Sequence, residues 1–261
     1  MAEPAQRLDD FTEPDVSHLV TEDDAPVDNF FQDRQMRLLT SALFDSWPYP
    51  ERRFVAFSDV GLRAGTEEHA VVPDVMLTLD ISAPPGEWWE KRNRSYFIWR
   101  YKKPPDAVIE IVSSGRGGEN EKLPRYASMG VRYVVIYDPH GYLGARPLRA
   151  YELRQGRYVS VSRASRPPPL ARRVNLVWLP EVKLGLKVWK GVFEGCEEYW
   201  LRWCDGEGAL LALGRERAEG ERTRAEEERL RAEVERARAD EERARADRLA
   251  QRLRQLGLRE D

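Results

Sequence analysis

The stretch that decides the fold runs from 104 to 139 and reads PPDAVIEIVSSGRGGENEKLPRYASMGVRYVVIYDP. Its first part, Asp106 to Val112, is a continuous apolar run that only Glu110 interrupts. Strands that are covered on both faces show such runs, whereas half-exposed strands alternate between apolar and polar residues. The pattern therefore predicts a central strand that carries one carboxylate.

The residues after this run predict a helix and then a second strand. A turn rich in glycine precedes Glu119 to Met129, which has helical spacing, and Gly130 can end that helix in a left-handed conformation. Tyr133 to Tyr137 is again apolar and stops at Asp138-Pro139. Strand, helix and strand in this order indicate an α/β core.

Outward from this core, the chain before it predicts a helix and two strands. Apolar residues at helical spacing predict a first helix over 29–46, capped by Asp28 and ended at Trp47-Pro48. Strands are predicted over 53–58 and 71–79. After the core, short alternating segments predict β-rich additions over 148–153, 157–161, 176–179 and 185–189.

Charge divides the chain into three parts, although its net charge is only -3. Residues 1–27 form an acidic lead with no apolar periodicity, which we expect to be flexible. Residues 28–214 are expected to form one α/β domain, and from 29 to 214 they carry five more basic than acidic residues. Residues 215–261 contain fourteen arginines and fourteen acidic residues, so their net charge is zero. The small basic excess of the middle part permits a nucleic-acid partner without requiring one.

The C-terminal part is a heptad repeat in which Arg-x-Arg recurs five times from Arg215 to Arg245. Two interpretations remain open. One is a single solvated helix stabilised by ion pairs along its own surface. The other is pairing with a partner helix, and so a homo-oligomer, through Leu230, Val234, Leu249, Leu253 and Leu256.

Composition excludes several classes of protein. No segment has the roughly 20 apolar residues that a membrane-spanning helix needs. The N-terminus lacks the basic and apolar regions of a secretory signal, and Cys196 and Cys204 are too few for a disulfide framework. The expectation is a soluble cytoplasmic protein with no membrane partner.

Two acids stand out as candidates for chemistry. Glu110 lies in the predicted central strand, where a buried carboxylate needs a cation or a shared proton. Asp74 begins the apolar run before it. If they converge, two carboxylates bind Mg²⁺ or Mn²⁺ rather than Zn²⁺. The alternatives are a Pro-Asp turn at Asp74 and an edge strand that exposes Glu110 to water.

Lys122 lies twelve residues after Glu110, on the predicted helix. A lysine there could reach the acids, polarise a metal-bound water and offset charge at a phosphate. The alternative is a surface ion pair with Glu119. No catalytic triad is evident, and His18, His69 and His140 lie apart in predicted loops. No glycine-rich fingerprint of a phosphate-binding loop is present.

These motifs resemble those of a known family. The runs VVPDVMLTL and PPDAVIEIVSSGRGGENEKLPRYASMGVRYVVIYDP resemble the Uma-two family of restriction endonucleases, within the PD-(D/E)XK nuclease superfamily, and the resemblance extends over about 28–205. It implies a restriction-endonuclease-like mixed sheet flanked by helices. It also implies that Asp74 and Glu110 bind the metal and that Lys122 provides the displaced catalytic lysine. Gln32 and Asp33 are candidates for the contribution of the first helix.

The leading hypothesis is therefore a metal-dependent DNA endonuclease with Asp74, Glu110 and Lys122 as its catalytic residues. In this hypothesis, a metal-bound water assisted by the lysine attacks the phosphodiester. A second hypothesis is a catalytically degenerate nuclease fold that binds nucleic acid or protein. A third is an interaction protein that acts through its C-terminal repeat. The fold alone does not choose between them.

Overall fold

The computed structural model describes residues 15, 29–66, 69–82, 89–113, 119–161, 167 and 175–255. The chain divides into two compact units, 1–211 and 212–261. The first unit is a mixed α/β structure built on a six-stranded sheet, as the sequence predicts, with further strands added to it. The second unit contains one long helix.

The six-stranded sheet has the strand order β1-β3-β5-β6-β7-β8. Its strands are β1 (Phe54–Ser58), β3 (Val75–Leu79), β5 (Ala107–Ile111), β6 (Tyr133–Tyr137), β7 (Leu148–Arg154) and β8 (Arg157–Ser160). A short parallel pair consists of β2 (Leu62–Arg63) and β4 (Tyr96–Phe97), and a three-stranded antiparallel sheet consists of β9 (Leu176–Leu179), β10 (Leu184–Phe193) and β11 (Cys196–Cys204).

The predicted central strand is β5, and it lies inside the sheet. It pairs antiparallel with β3 on one side and parallel with β6 on the other, and all five of its residues are buried. The parallel connection from β5 to β6 contains α3 (Glu119–Met129). Because β5 has a neighbour on both sides, the alternative in which Glu110 lies on an exposed edge strand is wrong.

The helices end at residues that the sequence marks. The first helix, α1 (Phe30–Ser46), begins at Asn29, whose side chain accepts a hydrogen bond from the Gln32 backbone N–H. Asn29 therefore provides the cap expected of Asp28, a residue outside the described part of the chain. Gly130 follows α3 with a φ of 79°, a left-handed conformation that glycine adopts without strain. A short helix, α2 (Ile98–Tyr101), precedes β5.

The two longer helices of the first unit pack against different partners. From α3, Tyr126 and Met129 join a buried apolar cluster that includes Val108 and Val112, the two neighbours of Glu110 on its side of the strand. The other helix, α1, packs against β1, β3 and β11. The buried Gln35 side chain fixes α1 to β11, because its amide bonds both the N–H and the C=O of Leu201.

Two of the predicted strands have different bounds in the structure. The segment predicted over 71–79 becomes regular only at β3, since Pro73 has no N–H to donate, and Val71 forms a single bridge to Leu62. The strand predicted over 185–189 is longer, and β10 and β11 form a hairpin. Glu194 and Gly195 both have positive φ at its turn, as tight two-residue turns require.

The second unit contains α4 (Gly214–Gln255), a helix of 42 residues of which none is buried. The start of this helix is stabilised by Glu216, whose carboxylate accepts a hydrogen bond from the backbone N–H of Leu213 at 2.8 Å. Among the described residues, no helix has the length and apolar character to cross a membrane.

Candidate active site

Asp74 and Glu110 meet at the boundary between two neighbouring strands. Val75 of β3 pairs with Ile109 of β5 in the antiparallel register. Asp74 is the residue immediately before β3, and its carboxylate accepts the backbone N–H of Ile111, the residue that follows Glu110 in β5. This hydrogen bond brings the two acids close enough for the Asp74 charge to raise the pKa of Glu110.

The Asp74 carboxylate connects three elements. Its Oδ2 accepts the backbone N–H of Ile111 in β5 at 2.5 Å, and its Oδ1 accepts the side-chain amide of Gln32 in α1 at 2.6 Å. Gln32 is buried, and its Oε1 has no hydrogen-bond partner among the described residues. The first helix thus contributes Gln32 to the site. Asp33 instead forms a surface ion pair with Arg37 at 3.0 Å.

The Glu110 carboxylate is 1% exposed and is held at both oxygens by residues of α3. Lys122 Nζ donates to Oε2 at 2.7 Å, and the hydroxyl of Tyr126 donates to Oε1. Lys122 also donates to the carbonyl of Val72 at 2.9 Å, which ties α3 to the segment before β3. Lys122 and Tyr126 lie four residues apart, so one face of α3 supplies both groups.

The electrostatics of the site follow from burial. The pKa of Glu110 is raised to about 7, because burial and the Asp74 charge, which raise it, outweigh the Lys122 charge and the hydrogen bonds from Lys122 and Tyr126, which lower it. Burial likewise raises the pKa of Asp74, against the hydrogen bond from Ile111. Two carboxylates in this setting repel each other when both are ionised. A positive charge between them would stabilise the ionised pair.

The donor atoms of the site suit a hard divalent cation. The carboxylates of Asp74 and Glu110 and the Oε1 atom of Gln32, which has no partner within the described part of the chain, are all oxygen donors, the type that Mg²⁺ and Mn²⁺ prefer. The described part of the chain contains no cluster of three or more His, Cys, Asp or Glu side chains arranged to hold a metal. Magnesium sites commonly use one or two carboxylates and complete their shell with water. These residues therefore fit such an ion.

Two other acids at the ends of the central strands have structural roles. Asp106 accepts the Leu79 N–H at 2.7 Å and the Lys103 ammonium at 2.8 Å, which locks β3 to the start of β5. Asp138 is fully buried and accepts the backbone N–H groups of Tyr142 and Leu143, so it shapes the turn after β6. The Asp138-Pro139 pair, at which the predicted strand stops, therefore marks a structured turn.

Comparison with protein families identifies the chain. Residues 22–176, more than half of the chain, match the Uma2 family, whose description is "Putative restriction endonuclease". The chain belongs to the Uma2 family. The matched range contains Asp74, Glu110 and Lys122, and the resemblance drawn from the sequence is confirmed at the level of the family and of its α/β fold.

A solved structure is also similar to this Uma2 chain. It is the crystal structure of a "putative nuclease belonging to DUF820" from Anabaena variabilis, 21% identical, with a TM-score of 0.35. The alignment covers 49% of this chain and 63% of that one, so the chain spans less than two thirds of that protein's length. No curated protein matches the chain.

Proposed function

We propose that this protein is a metal-dependent DNA endonuclease whose catalytic residues are Asp74, Glu110 and Lys122. The observation that carries the proposal is the buried Glu110 beside the partly buried Asp74, whose carboxylate is bonded to the backbone of β5, with the Lys122 ammonium 2.7 Å from Glu110. Buried carboxylates with raised pKa values beside a lysine are costly to maintain and are typical of functional sites. A purely structural site would be more stable with apolar residues at these positions.

Asp74 and Glu110 would hold the cation, Mg²⁺ or Mn²⁺, and Gln32 Oε1 is a candidate third donor. When bound, such a cation lowers the pKa of water and offsets the negative charge that develops at a phosphodiester under attack. The protein's own residues supply the positions. Ile111 N–H orients Asp74, and Tyr126 orients Glu110.

Lys122 is proposed to hold the attacking water and to stabilise charge at the phosphate. Its position is fixed by two acceptors, Glu110 Oε2 and the Val72 carbonyl, so its ammonium is oriented before substrate binds. It is one-third exposed, which leaves part of the group accessible to a ligand. An oriented cation stabilises a transition state more effectively than one that must reorganise during the reaction.

DNA is the proposed substrate because the family supports a nucleic-acid substrate and the middle of the chain, 29–214, carries a basic excess. Nicking of supercoiled plasmid in Mn²⁺ or Mg²⁺ tests the proposal. We expect the wild-type protein to nick, and Glu110→Gln to be inactive while remaining folded. The surface variant Asp80→Asn is the matched control and should retain activity.

A wild-type protein that binds metal but cleaves no form of DNA or RNA would contradict the enzyme proposal. The degenerate fold that binds nucleic acid or protein would then be the better assignment. Binding of labelled duplex and single-stranded DNA to the same preparation separates these two kinds of binding module.

A further inference from the structure

The long helix α4 exposes large apolar side chains in its middle and near its end. With 42 residues it extends for about 63 Å. Leu230 is 57% exposed and Val234 is 52% exposed, and Leu249 and Leu253 are exposed near its end. Single exposed apolar residues are ordinary on protein surfaces. Here, however, Leu230 and Val234 lie four residues apart on one stripe with Ala237 and Ala244, at the spacing of a coiled-coil seam.

The residues that flank this stripe have a strict order of charge. Val234 belongs to a series of seam positions spaced seven residues apart, and the residue before each of them is acidic. Leu230 belongs to a second such series, and the residue after each of its positions is arginine. The acids are Glu219, Glu226, Glu233, Asp240 and Asp247, and the arginines are Arg217, Arg224, Arg231, Arg238, Arg245 and Arg252. In coiled-coil terms these are the g and e positions, which set partner choice and orientation.

This order distinguishes between orientations of two identical helices. In a parallel, in-register pair, each g residue faces the e residue five positions further along the partner helix, so Glu233 faces Arg238 of the second copy. All five acids from Glu219 to Asp247 meet an arginine in this way. In an antiparallel pair, g faces g and e faces e, so acids meet acids and arginines meet arginines. The charge pattern is complementary to a parallel second copy alone.

We infer that α4 forms a parallel, in-register two-stranded coiled coil with a second copy of this chain, centred on Leu230 and Val234. The seam also contains Glu227, Glu241 and Arg248, which place like charges opposite each other in the homodimer and weaken it. The association is therefore reversible and, because its flanking ion pairs are solvated, weaker at high salt. This inference is independent of the nuclease activity.

Disulfide trapping in the full chain tests the geometry. Ala237→Cys lies on the seam, and Ala239→Cys, two residues away on the outer face, is the matched control. Both are made in a Cys196→Ser background, since Cys204 is buried. We expect rapid cross-linking of the first variant under mild oxidation and little of the second. Equal cross-linking of both, or none of either, would overturn the inference.

Charge reversal tests the partner. One variant changes Arg231, Arg238 and Arg245 to Glu, and the other changes Glu226, Glu233 and Asp240 to Arg. Each variant alone should sediment as a monomer, whereas their equimolar mixture should restore the dimer, because the reversed charges complement each other between chains. A mixture that stays monomeric while both helices remain formed by circular dichroism would overturn the inference, as would a wild-type chain that is monomeric at low salt.

Discussion

The carboxylate of Asp74 accepts the backbone N–H of Ile111, the residue that follows Glu110 in the central strand β5. The two acids are therefore brought together by a hydrogen bond between the Asp74 side chain and the backbone of that strand. A site built on paired strands holds its groups more accurately than a site built on loops. The substitutions below change side chains only, so each of them tests the chemistry of the site within an unchanged register.

Metal binding is the first prediction. Glu110→Gln and Asp74→Asn should each abolish or strongly weaken the binding of Mg²⁺ or Mn²⁺, because each replaces a carboxylate by a neutral amide. Isothermal titration calorimetry with the metal alone measures this, and Asp80→Asn, whose acid pairs with Arg52 on the surface, is the control. Unchanged affinity in both site variants would remove these residues as metal ligands.

Lys122→Ala should lower turnover by about 10²–10³-fold, the typical loss when one group that stabilises the transition state is removed. DNA affinity should change far less, because the proposed partners of Lys122 are the attacking water and the charge that develops during reaction. Comparing kcat with KM for plasmid cleavage separates the two effects. The surface variant Lys190→Ala should match wild type. A loss confined to KM would show that Lys122 only binds substrate.

Tyr126→Phe tests the positioning role of the Tyr126 hydroxyl. Its hydrogen bond to Glu110 lowers the pKa of that carboxyl, so removing the hydroxyl raises the pKa further. The acidic limb of the pH–rate profile should therefore move to higher pH, while the profile of the surface variant Tyr142→Phe stays in place. Turnover that falls equally at every pH would indicate loss of structure in place of a change in protonation.

The raised pKa of Glu110 also predicts how stability depends on pH. In the folded, metal-free protein Glu110 binds its proton up to about pH 7, whereas in the unfolded chain it loses the proton near its ordinary value of 4.5. The folded state therefore holds the extra proton between these values, and the free energy of unfolding falls as pH rises through this window, by roughly 3 kcal/mol.

Urea unfolding in EDTA, at several pH values across that window, measures this effect as the difference between wild type and Glu110→Gln. The difference should change with pH, because the glutamine has no proton to lose. Added Mg²⁺ should restore stability to the wild type at neutral pH, since a ligand that binds only the folded state stabilises it. A difference that is independent of pH would show that Glu110 titrates normally.

The strands and the helix that carry the site could be predicted from the sequence, whereas the contacts between them could not. The apolar run around Glu110 and the helix that carries Lys122 have strong local patterns, and β5, α3 and β6 appear where the patterns predict them. Gln32 could only be a candidate, because its contact with Asp74 joins residues 42 positions apart. Such a contact depends on how α1 packs, which local patterns do not encode.

The strand β11 was missed for a related reason. Its first half, which includes Glu197 and Glu198, is exposed and charged, so it lacks an apolar pattern. Its second half, which includes Trp200 and Trp203, is buried by α1 and β10. Pairing with β10 through the tight turn at Glu194 and Gly195 is what makes the whole segment a strand.

The last prediction concerns the domain boundary. Truncation after Gly214 should leave the thermal unfolding of the remaining chain and its metal affinity nearly unchanged. No residue of α4 is buried, and its heptads balance charge locally, so the helix has little apolar area with which to stabilise another unit. Sedimentation should show a smaller assembly than the full chain, because the Leu230 and Val234 stripe is lost. Differential scanning calorimetry of both proteins measures the first effect. A truncated protein that is insoluble or unfolded would show that 215–261 stabilises the α/β unit, and the proposed boundary between 28–214 and 215–261 would then be wrong.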